Sequence, residues 1–424
     1  MRVHFKTLGC RLNEAETESW ANDFQRQGHQ VVDDKQTPDV LVINTCVVTA
    51  GAVRKSRQLI RKAHSHNPKA KLVVSGCYAT LNKAETEGIE GVDLLINNQQ
   101  KDKLVELTLQ NIDTSIMPAL STQSGENTLF SRGRQRAFIK VQDGCRYRCS
   151  FCIVTKARGD EKSRKIKEIV NEVNAIHASG ISEIIISGVH LGGYGSDIDS
   201  NLHQLVSALL EHTDMPRIRM GSLEPWDLPE NFFQLFTNKR LMPHMHLPIQ
   251  SGSNTVLRRM ARRCKTEEFR SLVQQARAEI TGLNVTSDII VGFPGETKDE
   301  WQQTLDFVEE MNFGDLHIFS YSKREGTKAA TLPGQVDETT KKSRSKTLHA
   351  LASELKLHTL KALIGSEQSI LWEGKKKNAQ DSYEAFGYTP NYHRVKTPIK
   401  KDALLSNTIT HSKIKSLDGS MLAI

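Results

Sequence analysis

The chain has 424 residues, 38% of them hydrophobic, and a mean hydropathy of −0.44. This suits a soluble globular protein of two to four domains, and no apolar run approaches the roughly 20 residues needed to cross a bilayer. Lys and Arg outnumber Asp and Glu by 57 to 49, leaving +8, which permits a polyanionic partner without requiring one.

The N-terminus, Met1 to Thr7, is charged but carries no apolar stretch of a secretory signal. A cytoplasmic location is expected. There are seven cysteines: Cys10, Cys46, Cys77, Cys145, Cys149, Cys152 and Cys264. In a reducing compartment these point to metal ligation or catalysis rather than to disulfides.

In chain order, Val3–Thr7 reads as a strand running into Cys10. Asn13 can cap a helix whose Thr17, Trp20, Ala21 and Phe24 share one face. Val40–Ile43 is a β-branched strand running into Cys46, and a basic helix follows at about Val53–His64. Lys71–Val74 is a third strand, running into Cys77. This alternation predicts a doubly wound parallel α/β domain over residues 1–115. Each strand delivers a cysteine just past its carboxyl end, the edge where open α/β sheets bind ligands. Cys10, Cys46 and Cys77 should therefore converge.

Residues 116–132 read as a linker. Over 133–362, candidate strands at Ala137–Gln142, Glu183–Ser187, Arg217–Gly221, Met245–Ile249, Val285–Val291 and Asp315–Ser320 alternate with helices. Two of the helices are Lys165–Ser179, closed by Gly180, and Glu267–Ile280, followed by Gly282. This predicts a partial (β/α)6 barrel with its active site at the carboxyl ends of the strands. Over 363–424, short pieces at Gln368–Trp372, Tyr392–Val395 and Leu404–Ile409 predict a small antiparallel β-barrel. From Lys361 onward ten Lys and Arg face six Asp and Glu.

The sharpest motif is Gly144-Cys145-Arg146-Tyr147-Arg148-Cys149-Ser150-Phe151-Cys152, directly after the first barrel strand. Its C-x3-C-x2-C spacing supplies three thiolates to an iron–sulfur cube that has four irons, leaving one iron open. Structural zinc normally takes four protein ligands, and no fourth lies nearby. Cys264, in the helical stretch Arg262–Glu267, is outside both trios and reads as structural.

This arrangement resembles the radical S-adenosylmethionine (SAM) superfamily. There SAM chelates the open iron and is cleaved to a hydrogen-abstracting radical. The resemblance implies Cys145, Cys149 and Cys152 as cluster ligands that carry catalysis through the cluster, with Phe151 near the adenine. Further segments resemble the methylthiotransferases. They are Thr7–Asn13, Ile43–Thr49, Ser75–Ala79, Ser187–Gly195, His246–Ser253 and Ser287–Glu296. That family implies a second 4Fe–4S cluster on Cys10, Cys46 and Cys77, which carries the inserted sulfur. It also implies SAM as both methyl donor and radical source. Candidate cofactor contacts are Gly188, Gln250, Ser251 and Gly292 at strand ends, and Arg158, which could hold SAM or a phosphate.

Thr7–Cys10, Ala157–Gly159, His190–Gly195 and Gly387–Tyr392 are most similar to the branch acting on N6-threonylcarbamoyladenosine at nucleotide 37 of tRNA. The implied tail is an RNA-binding module (TRAM-like), and the implied partners are a tRNA anticodon stem-loop, an electron donor and a sulfur donor, with the protein a monomer. Thr155 stands where the family usually has proline. Alternatives are methylthiolation of N6-isopentenyladenosine-37 or of a ribosomal-protein aspartate, an iron–sulfur electron-transfer protein, and a zinc-bearing nucleic-acid binder.

Overall fold

The structure is a computed structural model describing residues 1–34, 36–112, 136–377, 382–403 and 405–424. The expected linker at 116–132 lies outside the described residues. The chain divides into two compact units. The first contains the described part of Met1–Arg132, with Phe138–Lys162 and Ser322–Ala330; the second contains the rest.

The first unit is built on strands β1 (Arg2–Thr7), β2 (Gln30–Val31), β3 (Val40–Thr45), β4 (Lys71–Gly76) and β5 (Val92–Ile96), ordered β2-β1-β3-β4-β5 and all parallel. Helices α1 (Arg11–Arg26), α2 (Ala50–His66), α3 (Cys77–Leu81), α4 (Lys83–Glu87) and α5 (Leu104–Asn111) are distributed around it. β3 is buried along its whole length, as a central parallel strand must be. One face packs Leu41, Ile43, Leu72 and Val74 with Ile60 and Ala63 of α2, and the other packs Val40, Val42 and Val73 with Trp20, Ala21 and Phe24 of α1. This is the doubly wound domain expected. The expected helix cap moves from Asn13 to Cys10, because α1 starts at Arg11 and the Asn13 amide is used elsewhere.

β6 (Arg136–Lys140) runs across the boundary between the units, followed by β7 (Gln142–Asp143), α6 (Val154–Arg158) and β8 (Lys162–Ser163).

The second unit carries α7 (Ile166–Ala178), β9 (Glu183–Ser187), α8 (Leu202–His212), β10 (Arg217–Met220), β11 (His244–His246), α9 (Asn254–Arg259), α10 (Thr266–Glu279), β12 (Asn284–Val291), α11 (Lys298–Met311), β13 (Asp315–Ser320) and α12 (Glu338–Lys361). β9 pairs with β10, β11 with β12 and β12 with β13, all parallel. Single parallel bridges, Ile218 to Leu241 and Ser222 to His246, carry the array past β10. The two helices closed by Gly180 and Gly282 match expectation, as do the strands, except that the one expected at Met245–Ile249 is His244–His246 and ends before Pro248, which has no N–H to donate. Cys264 is not helical as expected: it lies in the loop before α10, buried, and burial pushes its thiol up to about 12.

The tail forms β14 (Glu367–Lys377), β15 (Tyr383–Tyr388), β16 (Arg394–Ile399), β17 (Ile409–Lys413), β18 (Ser416–Asp418) and β19 (Met421–Ala423), ordered β17-β14-β15-β16-β19-β18. All pairs are antiparallel except β16 with β19. Two expected strands shift: Tyr392 and Asn407 adopt φ of 71° and 60°, so each sits in a turn and the strand begins two residues later.

This sheet and the barrel share one compact unit, and the residues joining them are the first residues of the barrel strands. Arg217, opening β10, donates to the Ser369 and Tyr388 carbonyls; Asn284, opening β12, donates to the Asn391 carbonyl. Arg219 donates to the Pro390 carbonyl and pairs with fully buried Glu183, which opens β9. The tail therefore caps the amino ends of the barrel strands, opposite the carboxyl edge.

Candidate functional site

The sheet register of the first unit sets the site. Thr7 pairs with Asn44, Asn44 with Ser75 and Thr45 with Gly76. Three strands thus end abreast, with neighbours about 4.8 Å apart, and Cys10, Cys46 and Cys77 follow within three residues. Gly9 and Cys46 are in close approach: a Cβ at Gly9 would meet Cys46 Cβ at 3.0 Å and Sγ at 3.1 Å. The loop before Cys77 needs glycine, because Gly76 holds φ +96° and a Cβ there would meet the Thr45 carbonyl oxygen at 2.4 Å.

Cys46 and Cys77 are buried, and Cys10 is solvent-accessible at the rim. Burial pushes the Cys46 thiol up, and its proximity to Cys10 and Cys77 adds to the rise. Cys10, accessible but surrounded by protein, is also pushed up, against the opposing pull of Arg158. Each thiol is held by neighbouring chain. Ser56 of α2 bonds both backbone groups of Cys46, and Asn98 Nδ2 donates to Cys77 Sγ at 3.5 Å. The Cys10 thiol donates to Asn13 Oδ1 at 3.6 Å. Ser75 Oγ, two residues before Cys77, is buried with no partner among the described residues. A purely thiol donor set, with a buried unmet hydroxyl two residues before Cys77, fits an iron–sulfur cluster, whose inorganic sulfides accept hydrogen bonds.

Cys145, Cys149 and Cys152 belong to this same unit and are half-buried. Cys145 N donates to the carbonyl of Gly159, just past α6, and Cys152 N to the Cys149 carbonyl, so the start of the motif is tied to the end of α6 and its last cysteines form a turn. Thr155 Oγ1 donates to the Tyr147 carbonyl at 3.1 Å. At the position where proline is usual, a side-chain hydrogen bond thus ties the loop to α6. Phe151 is half-buried in the same loop.

The two cysteine-bearing segments are fastened together by an ion cluster. Arg158, at the end of α6, donates to Glu16 Oε1 at 2.8 Å, Asp143 Oδ1 at 2.9 Å and Asn13 Oδ1 at 2.7 Å. Lys101 pairs with the same two carboxylates, and Lys140 stands within 3.9 Å of Glu16. Burial alone would raise the Glu16 carboxyl, but Arg158 and Lys101 hold it down at about 2; Asp143 is held low in the same way. Asn98 adds a second tie by donating to the Ala157 carbonyl at 2.8 Å. Arg158 thus spends its guanidinium on protein partners, with 2% of the side chain exposed.

The remaining candidate contacts lie in the second unit, at carboxyl ends of strands. Gly188 follows β9 and Gly292 follows β12. Gln250 takes φ +83° and bonds to β12 through the Asp288 carbonyl and the Ile290 amide. Ser251 is fully buried, its hydroxyl 3.3 Å from that of Thr304 and accepting from Ser253 N. Gly292 N donates to Glu296, and a Cβ there would strike Lys341. The Gln250 backbone groups and the Gly292 N–H are thus bonded within the protein, and Ser251 shapes the loop.

Sequence reasoning missed two polar groups. One is the Arg158 cluster, whose members lie up to 145 positions apart. The other is His246–Asp288–His317 on β11, β12 and β13: both imidazoles lie 3.1 Å from one Asp288 oxygen, and Thr286 holds the far nitrogen of His246. Strand alternation, which puts residues 286 and 288 on one face, was the available signal.

Residues 2–97 match the Uncharacterized protein family UPF0004, and residues 139–308 match the Radical SAM superfamily. The threonylcarbamoyladenosine tRNA methylthiotransferase MtaB of Bacillus subtilis is 38% identical over 404 residues, spanning 93% of this chain and 89% of the relative. The protein of that name from Aquifex aeolicus is 33% identical, spanning 91% and 98%. A tRNA-2-methylthio-N(6)-dimethylallyladenosine synthase from Methylacidiphilum infernorum is 32% identical, spanning 93% and 89%. The radical S-adenosylmethionine methyltransferase TsrM from Kitasatospora setae shares the fold, with a TM-score of 0.59 at 15% identity over 78% of this chain and 77% of that one. With both thiol trios in place and identity of this extent, the chain belongs to the threonylcarbamoyladenosine tRNA methylthiotransferases of the radical SAM superfamily.

Proposed function

We infer that this enzyme methylthiolates carbon 2 of N6-threonylcarbamoyladenosine at nucleotide 37 of tRNA. The observation that carries the reading is the presence in one compact unit of two separate thiol trios, each a ligand short of a closed cube. It is supported by relatives of 33–38% identity that bear this activity in their names.

Cys145, Cys149 and Cys152 would hold one 4Fe–4S cluster, and Cys10, Cys46 and Cys77 the other. When bound, the clusters and SAM supply the electron, the radical source, the methyl group and the sulfur, chemistry that no side chain provides for an unactivated aromatic C–H. The chain's own contribution is position. Asn98 donates onto Cys77, Ser56 fixes Cys46, and Arg158 ties the segment after Cys152 to the helix after Cys10. Gly188 and Gly292 would let SAM approach the strand ends, Gln250 and Ser251 would shape the loop beside it, and Phe151 would pack against the adenine.

The substrate would be taken by its anticodon stem-loop, where bases are accessible. The protein would act as a cytoplasmic monomer supplied by separate electron and sulfur donors. No described helix is long and apolar enough to cross a membrane.

The test is nucleoside mass spectrometry of tRNA from cells lacking the gene. Loss of 2-methylthio-N6-threonylcarbamoyladenosine with the isopentenyl derivative retained supports the reading. The reverse pattern defeats it.

A further inference from the structure

The family assignment leaves α2, the basic helix after Cys46, without a role. Its 17 residues include Arg54, Lys55, Arg57, Arg61 and Lys62 and no carboxylate. At 100° per residue, Arg54, Lys55, Arg61 and Lys62 fall within an arc of about 120°, with exposed Gln58 near its middle. Ser56, Ile60 and Ala63 point the other way, into the core. All four cations are exposed, and none makes an ion pair among the described residues; Arg57, at the flank, pairs with Glu85. They form two i, i+7 pairs, Arg54 with Arg61 and Lys55 with Lys62, each spaced about 10 Å along the axis.

Where this stripe starts matters. The cap of α2 is Thr49, three residues beyond Cys46, and Ser56 ties the helix to Cys46. The cations therefore begin at the thiol-bearing edge and lead away from it. Val48, between Cys46 and the cap, is 50% exposed.

Resting on the tRNA reading above, we propose that the Arg54–Lys55–Arg61–Lys62 face of α2 is a docking track for the tRNA sugar–phosphate backbone, guiding the RNA to the rim of the Cys10–Cys46–Cys77 trio. The cations are spread in a line and do not converge, which suits a run of phosphates better than one small anion. The apolar face of the helix is spent on the core, so it cannot enter a bilayer as an amphipathic anchor would.

The experiment measures tRNA affinity of the cluster-loaded enzyme between 50 and 200 mM salt. The variants are Arg54→Ala/Lys55→Ala/Arg61→Ala/Lys62→Ala together and, separately, Gln58→Lys. Each phosphate contact contributes about 0.7–0.9 to the slope of log affinity against log salt. The quadruple variant is expected to lose a slope of about 3 and to bind on the order of tenfold to a hundredfold more weakly at low salt. Its KM for tRNA should rise, with kcat, iron content and SAM cleavage without tRNA unchanged. Gln58→Lys should steepen the slope, a gain that misfolding cannot mimic. Parental slope and affinity in both variants would overturn the proposal and leave the tRNA reading intact. Absence of tRNA binding by the parent enzyme would overturn both.

Discussion

At Arg158 one guanidinium meets the Glu16 carboxylate and the Asn13 amide, both on α1, and the Asp143 carboxylate on β7, so that three segments come together. Removing one partner of a buried ion pair costs about 3–5 kcal/mol, and with Lys101 and Lys140 still facing both carboxylates the cost here falls toward about 3 kcal/mol. Arg158→Met should therefore lower the unfolding free energy by about that much, read from urea midpoints of the cluster-free chain. It should also reduce iron retention at both trios, since it unties the two cysteine-bearing segments. Unchanged stability would remove Arg158 from this role. Glu16 adds a pH signature. Its folded pKa of about 2 lies below its ordinary 4.5, so its stabilisation is complete above the ordinary value and is lost as pH falls toward 2. Glu16→Gln should flatten the fall in urea midpoint below pH ~4.5. The cysteines themselves separate the sites: replacing Cys10, Cys46 and Cys77 by alanine should remove about half the iron and sulfide from anaerobically purified protein. SAM cleavage should survive that change, whereas replacing Cys145, Cys149 and Cys152 should abolish it.

At the scale of elements, the strand-to-cysteine turns do the positioning. The left-handed Gly76 lies against the backbone of β3, so Gly76→Ala must shift either β3 or the start of α3. The cost should be about 1–3 kcal/mol, with selective loss of the cluster held by Cys77, measurable as iron content alongside the thermal midpoint. The turns were legible in sequence as strands running into cysteines, with Gly9 and Gly76 before two of the three, and the helices as 3.6-residue stripes closed by Gly180 and Gly282. Asn13 was not legible. Sequence rules name it a cap, yet tertiary contact turns its side chain to the Leu8 and Thr45 carbonyls and to Arg158. The strand starts near Tyr392 and Asn407 moved for a similar reason, since β-propensity does not register a single left-handed residue.

At the scale of the molecule, the tail is tied to the barrel in its own unit. Tyr388 and Tyr392 stack at 5.0 Å, and Arg136 and Arg219 pack on Tyr392 with centroid distances of 5.3 and 4.4 Å. Glu183, Arg217 and Arg219 are all buried beneath. Deleting residues 367–424 would leave these arginines without their tail partners. The truncated chain should accordingly be strongly destabilised or insoluble, a result a freely tethered module would not give; solubility and thermal midpoint check it.

The sequence by itself determined the two cysteine trios, the order of strands and helices, and the family, because local spacing and periodicity encode them. Only the tertiary structure decided what Arg158 and Asn13 do, and that the tail caps the amino ends of the barrel strands. The physical reason is sequence distance: a buried charge must find its counter-charges wherever the fold delivers them, and no local pattern records which distant segments those will be.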